Sequence, residues 1–171
     1  IAAVSYRVLT APNSLLGAAL ADILFSRFSD YAKNADFEKI LHEFLLASVG
    51  LVSISAIGFG SLYIMADYLP FVLDTSYEKV GVYVQLLLPW FAVQLVASPL
   101  SRVIFVFDKQ AYKLVFDIAS VSTLLVFTFF IDEQSILGFL TDLANVMATL
   151  YFLYYIGLAM IVLLQRRAPY R

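Results

Sequence analysis

The chain has 171 residues, of which 62% are hydrophobic and 14% charged, with a mean hydropathy of +0.87 and a net charge of −2. A soluble domain is about 45–50% apolar, so this composition excludes an ordinary soluble domain and favours an integral membrane protein. The absence of cysteine excludes disulfides, and the single histidine, His42, excludes a histidine-rich metal site.

Five stretches are long and apolar enough to be bilayer-spanning helices, because a crossing needs about 20 mostly apolar residues. The first is the weakest, since Arg7, Pro12, Asn13 and Asp22 interrupt it. We therefore expect an all-α integral membrane protein, a bundle of about five transmembrane helices in one domain over residues 1–171. The predicted spans are about 1–25, 41–65, 80–107, 114–131 and 137–164.

The connecting segments differ in their content of lysine and arginine. In chain order they carry three, one, three, zero and three basic residues, in the segments 26–40, 66–79, 102–113, 132–136 and 166–171. Because lysine and arginine favour the cytoplasmic side, this alternation predicts an external N-terminus and a cytoplasmic C-terminus. Five crossings agree with that orientation.

The third predicted span contains residues that a simple anchor does not need. Pro89 and Pro99 each remove a backbone donor, and Gln85 and Gln94 place amides in an apolar stretch that also holds two serines. Broken helices of this kind recur in transporters where they line a cavity. We expect a proline-bent helix whose polar side chains face such a cavity.

Ionisable residues inside spans are costly and usually face a bundle interior or a water-filled space. Four qualify here: Arg7, Asp22, Arg102 and Asp117. Arg102 and Asp117 flank one cytoplasmic turn, so a salt bridge between them is expected. Arg7 has no acidic neighbour within a helical turn, which leaves two interpretations, an anchor at the outer interface or a cavity-facing cation.

Signals for catalysis are weak. The "GFGS" stretch at Gly58–Ser61 is too short for a nucleotide-binding loop and favours close helix packing instead. The sequence offers no clear carboxylate pair, nucleophile–base pair or metal cluster. We expect a protein that is not an enzyme, binds no cofactor or metal, and has no nucleic-acid partner.

Two stretches resemble bacterial lipid-linked oligosaccharide flippases of the multidrug/oligosaccharidyl-lipid/polysaccharide exporter superfamily. "YRVLTAPNSLLGAALADILFSRFS" is similar to the helix that opens the second half of those proteins, with Arg7, Pro12 and Gly17 in matching positions. "LLPWFAVQLVASPLSRVIFVFDKQ" resembles a later helix and cytoplasmic turn of the polysaccharide branch. The third span departs from the lipid II branch.

The resemblance implies that the chain is the C-terminal part of a transporter with 12–14 helices in the bacterial cytoplasmic membrane, whose N-terminal half lies outside this sequence. Its implied cargo is an undecaprenyl-pyrophosphate-linked oligosaccharide for surface polysaccharide such as O-antigen. In the lipid II branch, the residue matching Arg7 contacts the pyrophosphate. We expect substrate-binding residues at Arg7, Pro12, Gln85 and Gln94, and ion coupling or a structural pair among Asp22, Arg102 and Asp117.

Three alternatives stay open. A cation-coupled multidrug exporter of the same superfamily would use Asp22 or Asp117 as its ion site. A membrane-embedded polysaccharide-assembly enzyme would need an outer loop richer in acids or arginines than residues 66–79. A structural subunit would transport nothing.

Overall fold

A computed structural model describes residues 2–69, 79–129 and 136–167, and this part of the chain is all α, without strands. Five of its helices are long and apolar enough to cross a membrane, as the composition predicts. The helices are α1 Ala2–Lys33, α2 Phe37–Met65, α3 Val80–Leu100, α4 Val103–Val106, α5 Gln110–Phe129 and α6 Ile136–Arg167. A single turn of 3₁₀ helix, Ala66–Tyr68, follows α2.

The predicted loop over residues 26–40 is wrong, because most of it is helix. α1 continues to Lys33, and α2 begins at Phe37. Asp36 caps α2 by accepting a hydrogen bond from the backbone N–H of Lys39 at 3.2 Å. Charged residues prevent a segment from lying in hydrocarbon, but they do not prevent it from being helical, so the hydropathy boundary falls short of the helix end.

The third predicted span, residues 80–107, is also divided. α3 ends at Leu100, one residue after Pro99, and a turn leads into the short helix α4. Asp108 adopts a left-handed conformation (φ 53°) that ends α4 and allows α5 to begin at Gln110, four residues before the predicted start. Pro89 lies inside α3, and the bend expected there stays a prediction.

α3 is the central helix. In its most apolar window 61% of the residues are buried, against 22–24% in α1, α2 and α6 and none in α5. α3 packs against α1, α2 and α6, whereas α5 packs chiefly on α6, where Phe116 stacks on Tyr154 with ring centroids 4.0 Å apart. The spaces between α3 and its neighbours are therefore the most enclosed part of the bundle.

Two hydrophobic clusters show that successive long helices run in opposite directions. One cluster joins residues near the end of α1, the start of α2, the end of α3 and the later part of α6, including Phe28, Ile40, Leu100 and Leu158. The other joins Ala66, Val80 and Leu143 at the opposite end. The lysine- and arginine-bearing segments 27–39 and 102–113 thus share one end of the bundle, called the basic end below. The segments 70–78 and 130–135 and the tail after 167 lie outside the described residues.

Candidate functional site

A chain of hydrogen bonds crosses the bundle from α1 to α6. The amide Nδ2 of Asn13 donates to Oε1 of Gln94 at 3.2 Å, and Nε2 of Gln94 donates to the hydroxyl of Tyr151 at 3.1 Å. Asn13 also contacts the backbone carbonyl of Phe91 at 3.5 Å. Hydrogen bonds between membrane helices contribute about 0.6 kcal/mol on average and up to about 1.7 kcal/mol, so this polar bridge helps to fix how α1 and α6 pack on α3.

Two cavities adjoin this bridge between α1 and α3, with volumes of about 170 and 350 Å³. They share four lining residues and therefore adjoin each other, and the two together are called the polar groove below. The smaller cavity, called the narrow section, lies beside the polar bridge. The larger cavity, called the wide section, extends to the basic end. The polar side chains that define the groove are Thr10, Asn13, Ser14, Gln94, Ser98, Ser101, Arg102 and Lys113.

Helical periodicity explains how the sequence builds this groove. On α1, Thr10, Asn13, Ser14 and Gly17 recur at intervals of three or four residues, so they share one face of the helix. Small residues continue that face toward the basic end, where Ala18 and Ala21 line the larger section. Because these side chains are short, α1 does not fill the space that faces α3.

Two cations lie at the basic end of the groove. Nη2 of Arg102 is 3.9 Å from Oδ1 of Asp22 on α1, and Nζ of Lys113 is 2.8 Å from Oδ2 of Asp117. The predicted Arg102–Asp117 salt bridge is therefore wrong. Arg102 lies before the α4 turn and faces α1, whereas Asp117 lies one helical turn after Lys113 and pairs along α5.

The predicted site residues are only partly brought together. Gln94 and Arg102 line the groove, and Asp22 lies beside it through its contact with Arg102. Arg7 is exposed on α1 and is not among the residues that line the groove. The side chain of Pro12 lies outside the described residues.

Gln85 lies on another face of α3. Its Nε2 donates to the backbone carbonyl of Tyr63 at 3.2 Å and contacts Oδ1 of Asp67 at 3.4 Å. There it borders a separate apolar groove of about 500 Å³ between α2, α3 and α6, which no charged side chain lines and whose wall includes Phe59 and Phe152. α3 thus separates Gln85 from the polar groove.

Several residues of the polar groove and of the polar bridge were missing from the predicted site. From the sequence, Asn13 was treated only as an interruption of the first span. An amide inside an apolar helix also predicts a hydrogen-bond partner on a neighbouring helix. Lys113 was used only in the count of basic residues in the segment 102–113. Tyr151 had no distinguishing signal, because it is one of three tyrosines in α6 and its immediate neighbours do not show which one meets Gln94.

The chemistry of the groove changes along its length. Amides and hydroxyls line the section near the bridge, and these groups suit neutral, hydroxyl-bearing ligands. The section at the basic end adds a guanidinium and an ammonium, which suit phosphates or carboxylates. Within the described residues, no group of three or more histidine, cysteine or acidic side chains could hold a metal ion.

No protein-family model, curated protein or solved structure matches this chain.

Proposed function

We propose that this chain is part of a membrane flippase that moves a lipid-linked oligosaccharide across the bacterial cytoplasmic membrane. The observation that carries the proposal is the polar groove, a path lined by amides, hydroxyls and two cations within an apolar helical bundle. A charged headgroup needs such a path because hydrocarbon about 30 Å thick offers nothing to replace its hydration.

The distribution of charge supports an orientation for this path. The basic end of the bundle carries Arg27, Lys33, Lys39, Arg102 and Lys113, and basic residues favour the cytoplasmic side. The wider section of the groove then opens at the level of the inner-leaflet headgroups, where a lipid-linked oligosaccharide is made available for export.

The resemblance of two helices to oligosaccharide flippases supports the cargo class, undecaprenyl-pyrophosphate-linked oligosaccharide. In this proposal the first half of the transporter provides the wall facing α1. α1 leaves Leu15 and Leu16 exposed beside the groove, 75% and 46% accessible, as expected for a helix that meets further protein or lipid. Alternating access between two such halves moves the headgroup without opening both sides at once.

A cation-coupled exporter is less well supported. Its ion would bind at Asp22 or Asp117, and both carboxylates already face a basic side chain, Arg102 and Lys113 respectively. A positive neighbour lowers the affinity of a carboxylate for a second cation.

Reconstitution tests the proposal. The full-length protein is placed in liposomes with an undecaprenyl-pyrophosphate-linked oligosaccharide whose sugar carries a fluorophore. An impermeant reductant then quenches the fluorophores that are exposed on the outer leaflet. The flippase should make the whole lipid pool accessible within the assay time. A folded protein that leaves the inner pool protected would overturn the proposal. A fluorescent organic cation under a sodium or proton gradient tests the exporter, and mass spectrometry of the lipid tests for an enzymatic product.

A further inference from the structure

The wide section of the polar groove presents hydrogen-bond donors of one charge. The charged residues in its lining are Arg102 and Lys113, while their acidic partners Asp22 and Asp117 are not among the residues that line it. Guanidinium and ammonium groups donate hydrogen bonds and never accept them. This section therefore suits a group that only accepts, such as a phosphate.

Both cations keep donors available for a ligand. The Arg102–Asp22 contact, at 3.9 Å, is the longest ion pair among the described residues, and the carboxylate of Asp22 is 82% exposed. A guanidinium carries five N–H donors, so this one loose contact leaves most of them unused. Lys113 directs its ammonium at both oxygens of Asp117, at 2.9 and 2.8 Å, which leaves one of its three donors.

No charged side chain among the described residues lines the narrow section, whose hydroxyls present acceptors, although Ser14 lines both sections. The hydroxyl of Thr10 donates to the backbone carbonyl of Tyr6 at 2.6 Å, and that of Ser14 donates to the carbonyl of Ala11 at 3.0 Å. With their protons engaged inside α1, these two oxygens face a ligand as acceptors. Sugar hydroxyls are abundant donors, so this section suits a neutral sugar more than a phosphate.

We infer that the polar groove is a two-part headgroup site, in which Arg102 and Lys113 bind the phosphate of an isoprenoid lipid and the Thr10–Ser14 section binds the adjoining sugar. This inference rests on the proposed function. It identifies the residues that first receive the cargo at the basic end, and it assigns the phosphate to Arg102 and Lys113 rather than to Arg7.

Binding measurements on the full-length protein in nanodiscs test the assignment. The probes are undecaprenyl phosphate, inorganic pyrophosphate and phosphatidylglycerol, each followed by native mass spectrometry or by competition. Arg102→Gln should weaken binding of undecaprenyl phosphate by about tenfold or more, since a hydrogen bond to a charged group contributes about that factor. Lys113→Gln should weaken it by a smaller factor, because Asp117 competes for the same ammonium.

Lys109→Gln is the matched control. Lys109 lies in the same turn, is exposed and does not line the groove, so this variant should change the affinity less than twofold. Equal losses in Lys109→Gln and Arg102→Gln would overturn the site in favour of general surface charge. Arg102→Lys with an unchanged melting temperature separates lost binding from misfolding, and should retain part of the affinity.

The three probes identify the source of the phosphate. Binding of undecaprenyl phosphate that excess phosphatidylglycerol does not displace supports the isoprenoid lipid. Displacement by an equal amount of phosphatidylglycerol, or tighter binding of free pyrophosphate, would overturn that choice. If Arg102→Gln leaves both binding and translocation intact, the phosphate site at Arg102 is wrong and the proposed flippase function is retained. If the wild type translocates nothing yet binds undecaprenyl phosphate through Arg102, the proposed function is wrong and the phosphate site is retained.

Discussion

Replacing Gln94 by leucine should loosen the contact between α1, α3 and α6. Leucine is apolar and of similar size, and it removes both hydrogen bonds of the polar bridge, at 3.2 Å to Asn13 and 3.1 Å to Tyr151. Each interhelical bond in a bilayer contributes about 0.6 kcal/mol on average and up to about 1.7 kcal/mol. Losing two bonds should therefore lower the free energy of unfolding by roughly 1–3 kcal/mol, with about 2 kcal/mol as the central value. For a domain of this size that corresponds to a fall in melting temperature of roughly 4–8 °C.

A double-mutant cycle isolates the bridge from the other effects of the substitution. Gln94→Leu and Tyr151→Phe are compared singly and together by thermal unfolding in detergent. The paired variant should lose about 1 kcal/mol less than the sum of the single losses, because either change alone breaks the shared bond. Gln94→Leu with Tyr155→Phe is the control and should be additive, since Tyr155 stacks on Phe44 instead. Additive losses for Gln94 and Tyr151 would refute the bridge.

Three further predictions concern packing and orientation. Gly81→Ala should lower the melting temperature by several degrees, because a Cβ there would lie 2.2 Å from a backbone carbonyl oxygen, whereas Gly58→Ala meets nothing within 4 Å and should be neutral. Glu43→Gln should lower the melting temperature by less than Gly81→Ala does, and mainly at low salt. Its partner Arg27 is 55% exposed, so water can hydrate the guanidinium when the carboxylate is lost. The chain has no cysteine, so Asn34→Cys can be labelled cleanly, and an impermeant thiol reagent should not reach it in intact cells.

Hydropathy was sufficient for the number of long apolar helices but not for their ends. The five helices that are long and apolar enough to cross a membrane follow from apolar stretches of about 20 residues. Hydropathy could not predict that α1 continues through Arg27 to Lys33. A charged segment outside the hydrocarbon remains helical when one of its faces packs against the rest of the protein. Phe28 supplies that packing, fully buried among residues of α2 and α3.

The site was predictable only in its residue types. Polar side chains such as Gln94 mark an apolar span as functional or interhelical wherever they occur. Their partners depend on how each helix is rotated about its axis, and that rotation is set by packing across the whole interface. This is why Gln85 and Gln94, nine residues apart on one helix, belong to different grooves, and why Arg102 meets Asp22 rather than Asp117.

Arg7 and Arg102 lie at opposite ends of the wall that α1 forms. Fifteen residues of α1 separate Arg7 from Asp22, the partner of Arg102, which corresponds to about 22 Å of helix. Arg7 and Ser14 are seven residues, or nearly two turns, apart, so Arg7 lies on the same face of α1 as Ser14, away from the basic end, without lining the groove itself. A pyrophosphate bound by Arg102 beside Asp22 therefore lies about four helical turns of α1 from Arg7.

Binding and translocation should therefore separate in variants of Arg7. Arg7→Ala should bind undecaprenyl phosphate as the wild type does, because the phosphate first meets Arg102, but it should slow translocation severalfold because the headgroup lacks a cation at the far end. Arg7→Lys should be intermediate, since lysine keeps the charge and loses the paired donors of the guanidinium. Both quantities are measured on one preparation, by native mass spectrometry and by the quenching assay. Translocation at the wild-type rate by Arg7→Ala would make Arg7 an interface anchor. Loss of binding equal to that of Arg102→Gln would contradict the separation of the two ends, because it would require one phosphate to depend on Arg7 and on a cation held beside Asp22, about 22 Å further along α1.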